Sequence, residues 1–255
     1  MNDADLQIYD TDLPAGDHHV PARITRPAAW SPRPAVLLLH GLGSSKEVQQ
    51  SEASSLARAG LLAVTLDAPH HGARRTPLLD QIASASGAAA HAILLRMLRE
   101  AIAEIPLLVS GLLEEGHGPI GLAGVSMGAY VALGATAADP RIVVVASILG
   151  SPDWWPPHGQ VDDAVRPWLD EAPSRHPERF HPRAVLLANA GRDVNVLPDA
   201  ARHFAEVLRH HYRDQADRIH HVEYPESAHF MREEDWNDLW GRTVGWLGRY
   251  LAAGG

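Results

Sequence analysis

Apolar and polar positions along this chain fall into two alternating patterns. Short apolar runs, at Ala35 to Leu39, Leu61 to Leu66, Ile120 to Val125, Ile142 to Ile148, Ala184 to Ala188 and Ile219 to Tyr224, are separated by longer stretches with helical spacing. Continuous short runs of this kind predict parallel strands buried on both faces. Two earlier candidates, Leu6 to Tyr9 and His19 to Thr25, bring the strand count to eight and predict an antiparallel edge. The intervening spacing predicts helices over Ser45 to Ala59, Ala88 to Leu113, Ala129 to Ala138, Pro198 to His211 and Glu233 to Leu251. Pro198 suits a first helical turn, and Pro106 predicts a kink or break within the second of these helices. In the last, Trp236, Leu239, Trp240, Val244, Leu247 and Leu251 recur at helical spacing and predict a packed face.

One segment breaks the alternation. Residues Ser151 to Arg183 carry eight Gly or Pro residues, three tryptophans and only a weak helical pattern near Val161 to Leu169. A long interruption of a compact domain is usually functional, and its tryptophans predict a short lid over 151–183, with Trp154, Trp155 and Trp168 lining an apolar pocket. No repeat or second domain is visible, so residues 1–255 read as one α/β domain. It would hold a mostly parallel eight-stranded sheet with helices on both faces.

Composition narrows the chemistry. With 255 residues and 45% hydrophobic content, the chain is long enough for a large core. Cysteine is absent, which excludes disulfides, thiolate metal sites and a cysteine nucleophile. The only lysine is Lys46, leaving little scope for Schiff-base chemistry. A formal net charge of -9 with scattered arginines argues against a nucleic-acid partner. The acidic start, Met1-Asn2-Asp3-Ala4-Asp5, is unlike a signal peptide, and no long apolar run predicts a membrane span, so a cytoplasmic protein is expected. Sixteen histidines raise the question of a metal. Adjacent pairs such as His220-His221 diverge in a strand, and neither H-E-x-x-H nor H-x-H occurs, so no metal is expected. Neither G-x-G-x-x-G nor a P-loop is present, and no cofactor is expected.

The chemistry-bearing stretch is Gly124-Val125-Ser126-Met127-Gly128, where a strand reading ends and a helix reading begins. A serine on such a turn projects at the carboxyl edge of the sheet, where ligands of open α/β sheets bind. A neutral hydroxyl is a poor nucleophile and needs a base, which in turn needs an orienting group. Asp193 follows the run ending at Ala190 and Gly191-Arg192, and Asp153, after the preceding strand, is a second carboxylate candidate. His229 follows the last strand through Pro225-Glu226-Ser227-Ala228, while His220 and His221 lie inside that strand. Oxyanion donors are available in the Met127 amide and in the loop His40-Gly41-Leu42-Gly43, where Leu42 is favoured. His70 and His71, in LDAPHHG, are candidates either to line a pocket or to stabilise a loop.

With HGLG, GVSMG, GRDVNV and a late histidine in this order, the chain resembles the α/β-hydrolases over essentially its whole length. HGLGSSKE paired with LDAPHHGAR is similar to small bacterial carboxylesterases. The resemblance implies Ser126 as nucleophile, Asp193 as acid, His229 as base, and Leu42 and Met127 as oxyanion donors. The expected activity is hydrolysis of small to medium carboxylic esters through an acyl-enzyme. Peptidase or amidase, thioesterase and acyltransferase chemistry can run on the same triad. A single-domain aminopeptidase would need an acidic anchor for the substrate amine, for which the Glu and Asp residues of 151–183 are candidates. A ligand-sensing protein on a hydrolase scaffold is the rival from another class. Oligomeric state, monomer or homodimer, is left open by the sequence.

Overall fold

The apolar runs assemble into one sheet. In the computed structural model, which describes residues 5–29, 31–156 and 159–252, the strands are β1 (Leu6–Ala15), β2 (His18–Pro27), β3 (Ala35–Leu39), β4 (Leu62–Leu66), β5 (Ile120–Val125), β6 (Ile142–Ile148), β7 (Ala184–Ala190) and β8 (Ile219–Tyr224). Their order is β1-β2-β4-β3-β5-β6-β7-β8. β1 pairs antiparallel with β2, and β2 with β4, while β3 to β8 run parallel. The predicted antiparallel edge is therefore present.

The central strands are buried on both faces, as their unbroken apolar runs require. All of β3, β4 and β7 is buried. Within β3, Leu37 and Leu39 enter one core and Val36 and Leu38 the other, following the two-residue period of a strand. Helices α3 (Gly87–Glu114), α4 (Met127–Ala138) and α5 (Asp199–Tyr212) pack into the first core, and α1 (Gln50–Arg58) and α6 (Glu233–Ala252) into the second. The apolar stripe of α6 does pack: Leu239, Trp240, Leu247 and Leu251 are buried.

Three expectations need correction. Helix α3 runs through Pro106 for 28 residues without a break. Its buried face, including Leu98, Ile105, Leu108 and Leu112, spans both sides of the proline, and burying each such side chain contributes roughly 1.5–3 kcal/mol, enough to offset the roughly 3 kcal/mol cost of an internal proline. A sixth helix, α2 (Pro77–Ser84), lies in a stretch that carried no helix prediction, although Thr76 caps it by accepting the Leu78 N–H and Pro77 occupies its first position. Pro198 stands at the N-cap of α5 rather than inside the first turn.

Residues 151–183 form short 3-10 turns at Arg166–Glu171, Pro173–Arg175 and Pro177–Arg179; residues 157–158 of the segment lie outside the described ones. Phe180, Leu169, Ala172 and Val165 are buried in the first core. The Tyr212 hydroxyl is 2.6 Å from the carbonyls of both Phe180 and Arg183, tying the segment to α5. Among the described helices, none is long and apolar enough to cross a membrane. Because β3 to β8 are parallel, the loops after β3, β5, β7 and β8 emerge at one edge.

Candidate active site

Ser126 sits between β5 and α4 with φ 53° and ψ -119°, a conformation rarely adopted by residues with a side chain. Its amide donates to the Ile148 carbonyl at 2.8 Å and its carbonyl accepts the Ala129 N–H at 2.8 Å, so backbone on both sides holds the strained residue. The flanking glycines are explained by close approach. A Cβ on Gly124 would lie 2.0 Å from the Gly128 carbonyl oxygen, and one on Gly128 would lie 2.0 Å from the Leu39 carbonyl oxygen. The G-x-S-x-G spacing thus permits β5, α4 and the end of β3 to converge around one hydroxyl.

Loops after β7 and β8 bring the other two groups. The Gly191 amide donates to the Tyr224 carbonyl at 2.8 Å and the Arg192 amide to the Ser227 carbonyl at 2.9 Å. A Cβ on Gly191 would come within 2.7 Å of Pro225 Cα, so only glycine allows the two loops to touch here. Ser227, buried beneath them, donates to Asp235 at the start of α6 at 2.6 Å. The result is a continuous chain of hydrogen bonds. Ser126 Oγ lies 3.0 Å from His229 Nε2, and His229 Nδ1 lies 2.7 Å from Asp193 Oδ2. The Asp193 carboxylate is 0% exposed, and its Oδ1 accepts the amides of Asn195 and Val196, each at 2.9 Å. A carboxylate held in this way accepts the Nδ1–H, fixes that tautomer and leaves Nε2 free to take the serine proton.

Other sequence candidates go elsewhere. Asp153 accepts the Trp155 amide at 3.2 Å in a local turn with Ser151, so Asp193 is the carboxylate brought to His229. His220 stacks on Trp246 with ring centroids 5.8 Å apart, and burial lowers the pKa of both His220 and His221. His70 spans Thr76 at 2.7 Å and Glu100 at 2.6 Å, and buried His71 holds the Pro69 carbonyl at 2.8 Å, so both brace their loop. Among the described residues, no group of three or more His, Asp or Glu is arranged to hold a metal ion.

Beside Ser126 runs the loop after β3. A Cβ on Gly41 would be 3.6 Å from Ser126 Cβ, which sets the Gly41-Leu42 peptide against the nucleophile. His40 orients it. Its Nε2 accepts the Ala68 amide at 3.1 Å, so its Nδ1–H donates to the Gly41 carbonyl at 2.8 Å. Burial pushes the His40 pKa down and keeps that ring neutral. In a trans peptide, a carbonyl held toward His40 turns the Leu42 N–H the other way. Met127 supplies the first amide of α4, one of the four without an intrahelical partner.

A cavity of about 660 Å³ opens onto Ser126 and His229. Leu42, Val48, Leu94, Tyr130, Leu149 and Met231 supply much of its wall, and Phe230, 92% exposed, stands at its rim. The expectation that Trp154, Trp155 and Trp168 line it is corrected. Trp154 is buried against α4, 3.4 Å from where a Gly134 Cβ would stand, and its carbonyl partners His91 of α3 at 2.8 Å. Trp168 lies under the Arg99 guanidinium at 4.9 Å, and Trp155 faces Arg166 at 6.0 Å. The segment spends its contacts on α3, α4 and α5, and none of its described residues borders the cavity. In their place, the wall includes three residues the sequence did not single out as site residues: Gln49 and Glu52 of α1 and its cap, and Trp236 of α6.

Comparisons with known proteins bear on the family and the fold. The model of the "Alpha/beta hydrolase family" matches residues 36–252. The chain belongs to that family. Esterase YjfP of Escherichia coli is 29% identical over 206 residues, 72% of this chain and 78% of its own length. YitV of Bacillus subtilis is 28% identical over 211 residues, covering 74% and 80%. The solved structure of TT1662 from Thermus thermophilus superposes with a TM-score of 0.71 at 25% identity, covering 94% of this chain and 98% of that one.

Proposed function

We propose that the protein is a serine hydrolase that cleaves carboxylic esters of small to medium size. The observation that carries this reading is the hydrogen-bonded chain Ser126–His229–Asp193 at the mouth of a largely apolar cavity. His229 Nε2 takes the Ser126 proton as Oγ attacks the ester carbonyl. The oxyanion that forms is met by the amides of Met127 and Leu42. The imidazolium, stabilised by Asp193, then returns the proton to the leaving alkoxide, and the alcohol departs. Water, deprotonated by His229, attacks the acyl-Ser126 ester and releases the carboxylic acid. Catalysis is confined to one domain, 1–255, in which 151–183 buttresses the helices behind the site. The name of Esterase YjfP supports the same chemistry.

The test combines a p-nitrophenyl ester series with fluorophosphonate labelling. The wild type hydrolyses short esters and labels, and Ser126→Ala does neither. Asp193→Asn loses about 10³- to 10⁴-fold in kcat, because the amide stabilises the wrong imidazole tautomer, whereas Asp153→Asn retains near-normal kcat. Labelling that survives Ser126→Ala removes the nucleophile assignment. Thioesters and aminoacyl amides are run alongside, and a clear preference for either moves the reaction class within the same triad.

A further inference from the structure

Among the described residues, Glu52 is the one carboxylate on the cavity wall, and apart from His229 no other titratable acid or base stands there except the Tyr130 phenol, which burial keeps neutral. Glu52 Oε1 accepts the Trp236 indole N–H at 3.0 Å, and no cation pairs with it among the described residues. Both residues also border a recess on the outer side of α1 and α6, so the Glu52–Trp236 pair is the partition between cavity and recess. Next to it on the wall is Gln49, 5% exposed, whose amide nitrogen is buried without a partner among the described residues. An unpaired buried amide is costly, and a half-buried carboxylate without a counter-ion on a largely apolar wall attracts an opposite charge. Glu52 gains from a ligand that brings a positive charge and N–H donors, and the Gln49 amide nitrogen, itself a donor, gains from an oxygen acceptor on the same ligand. The indole face of Trp236 and the partial exclusion of water favour the same kind of ligand.

We propose that the preferred substrates are esters carrying a primary ammonium group on the portion that fills the cavity, with Glu52 accepting that group and the Gln49 amide donating to an oxygen of the same substrate. The proposal rests on the esterase reading for its turnover but not for its binding. Glu52 lies in the first turn of α1, where the helix dipole also favours it, so a purely structural carboxylate is the competing account and predicts no discrimination by substrate charge.

The experiment compares an ω-amino alkanoate ethyl ester with the alkanoate ester bearing a methyl group in place of the ammonium. A matching pair carries the ammonium on the alcohol side. In the wild type, kcat/KM for one of the cationic esters exceeds that of its neutral isostere by about 10-fold or more, the size of a hydrogen bond to a charged group. Glu52→Gln, which keeps an acceptor for the Trp236 indole, brings this ratio down by about 10-fold. Glu206→Gln, on the exposed side of α5, keeps the wild-type ratio. Calorimetry on Ser126→Ala with a linear alkylammonium chloride and the alcohol of equal length reads binding without turnover. The ammonium binds more tightly, and adding Glu52→Gln removes the difference. A ratio near one in the wild type for both pairs, a ratio indifferent to Glu52→Gln, or equal binding of ammonium and alcohol overturns the proposal while ester turnover stands. Absence of ester cleavage alone overturns the esterase reading, and the calorimetry still decides the ammonium site.

Discussion

At Ser126 the demands of chemistry and of folding point in opposite directions. A backbone at φ 53°, ψ -119° costs a residue with a Cβ about 1–3 kcal/mol, and glycine avoids most of it while losing more entropy on folding. Ser126→Gly is therefore expected to be more stable than Ser126→Ala by about 1 kcal/mol, read as a higher urea midpoint at unchanged slope, with both variants inactive. Equal midpoints would mean the surrounding hydrogen bonds, not the residue, set the strain. Ser126, Asp193 and His229 could be placed at one sheet edge from the sequence because each follows a recognisable strand within a few residues, and their expected roles came from the resemblance to the α/β-hydrolases. Gln49 and Glu52 were not, because their place on the cavity wall depends on how α1 meets α6. The tryptophans of 151–183 misled for the same reason: an aromatic side chain in a loop fits a core as well as a pocket, and Trp154 went to the core.

Among elements, the loops that flank the site are braced from β4. Asp67, fully buried at its end, accepts the Lys46 amide at 2.8 Å and the Ala73 amide at 2.9 Å, with Lys46 Nζ 3.5 Å away. Gly72, at φ +52°, packs so closely that a Cβ there would stand 2.1 Å from Asp67 Oδ1. One carboxylate thus joins the segment after HGLG to the turn containing His71. Removing it as Asp67→Ala leaves two amides without their acceptor and the Lys46 ammonium with Glu47 alone, which is expected to cost about 3 kcal/mol or more in urea unfolding. A loss below about 1 kcal/mol would show that water replaces the carboxylate. The same packing makes Gly128→Ala severe, since the methyl would overlap the Leu39 carbonyl, and its soluble yield and thermal midpoint are expected to fall further than those of an exposed-helix substitution such as Gly241→Ala. Eight strands and five helices were legible in the sequence. α2 escaped because eight residues give barely two turns of pattern, and unbroken α3 defied Pro106 because packing along 28 residues outweighs one lost hydrogen bond.

For the whole molecule, the buried histidines set the response to acid. Burial lowers the pKa of His40 and His71, both almost without solvent contact, and of the partly buried His220 and His221. A histidine kept neutral by the fold contributes fully only above its unfolded pKa of about 6.5, because below it the unfolded chain takes up a proton that the native state refuses. Each of the two fully buried rings can then remove up to about 1.4 kcal/mol per pH unit until its own folded pKa is reached. His18 acts oppositely: the hydrogen bond to Glu104 raises its pKa, so its contribution is present in acid and lost as pH rises. It is 42% exposed, and solvent screening makes it the smaller effect. Carboxylates with lowered pKa enter only further down. Glu47, held to about 2 first by Lys46 and then by Ser45, and Asp139, lowered by Arg141 against its own burial, lose their contributions as pH falls below about 4.5. The expected outcome is a fall in urea midpoint beginning just below neutrality, well before any carboxylate protonates, followed by a second fall in stronger acid. Measured from about pH 7.5 to pH 5, a flat profile would show that the buried imidazoles find protonated partners in the native state, and would remove the neutral His40 on which the orientation of the Leu42 amide depends.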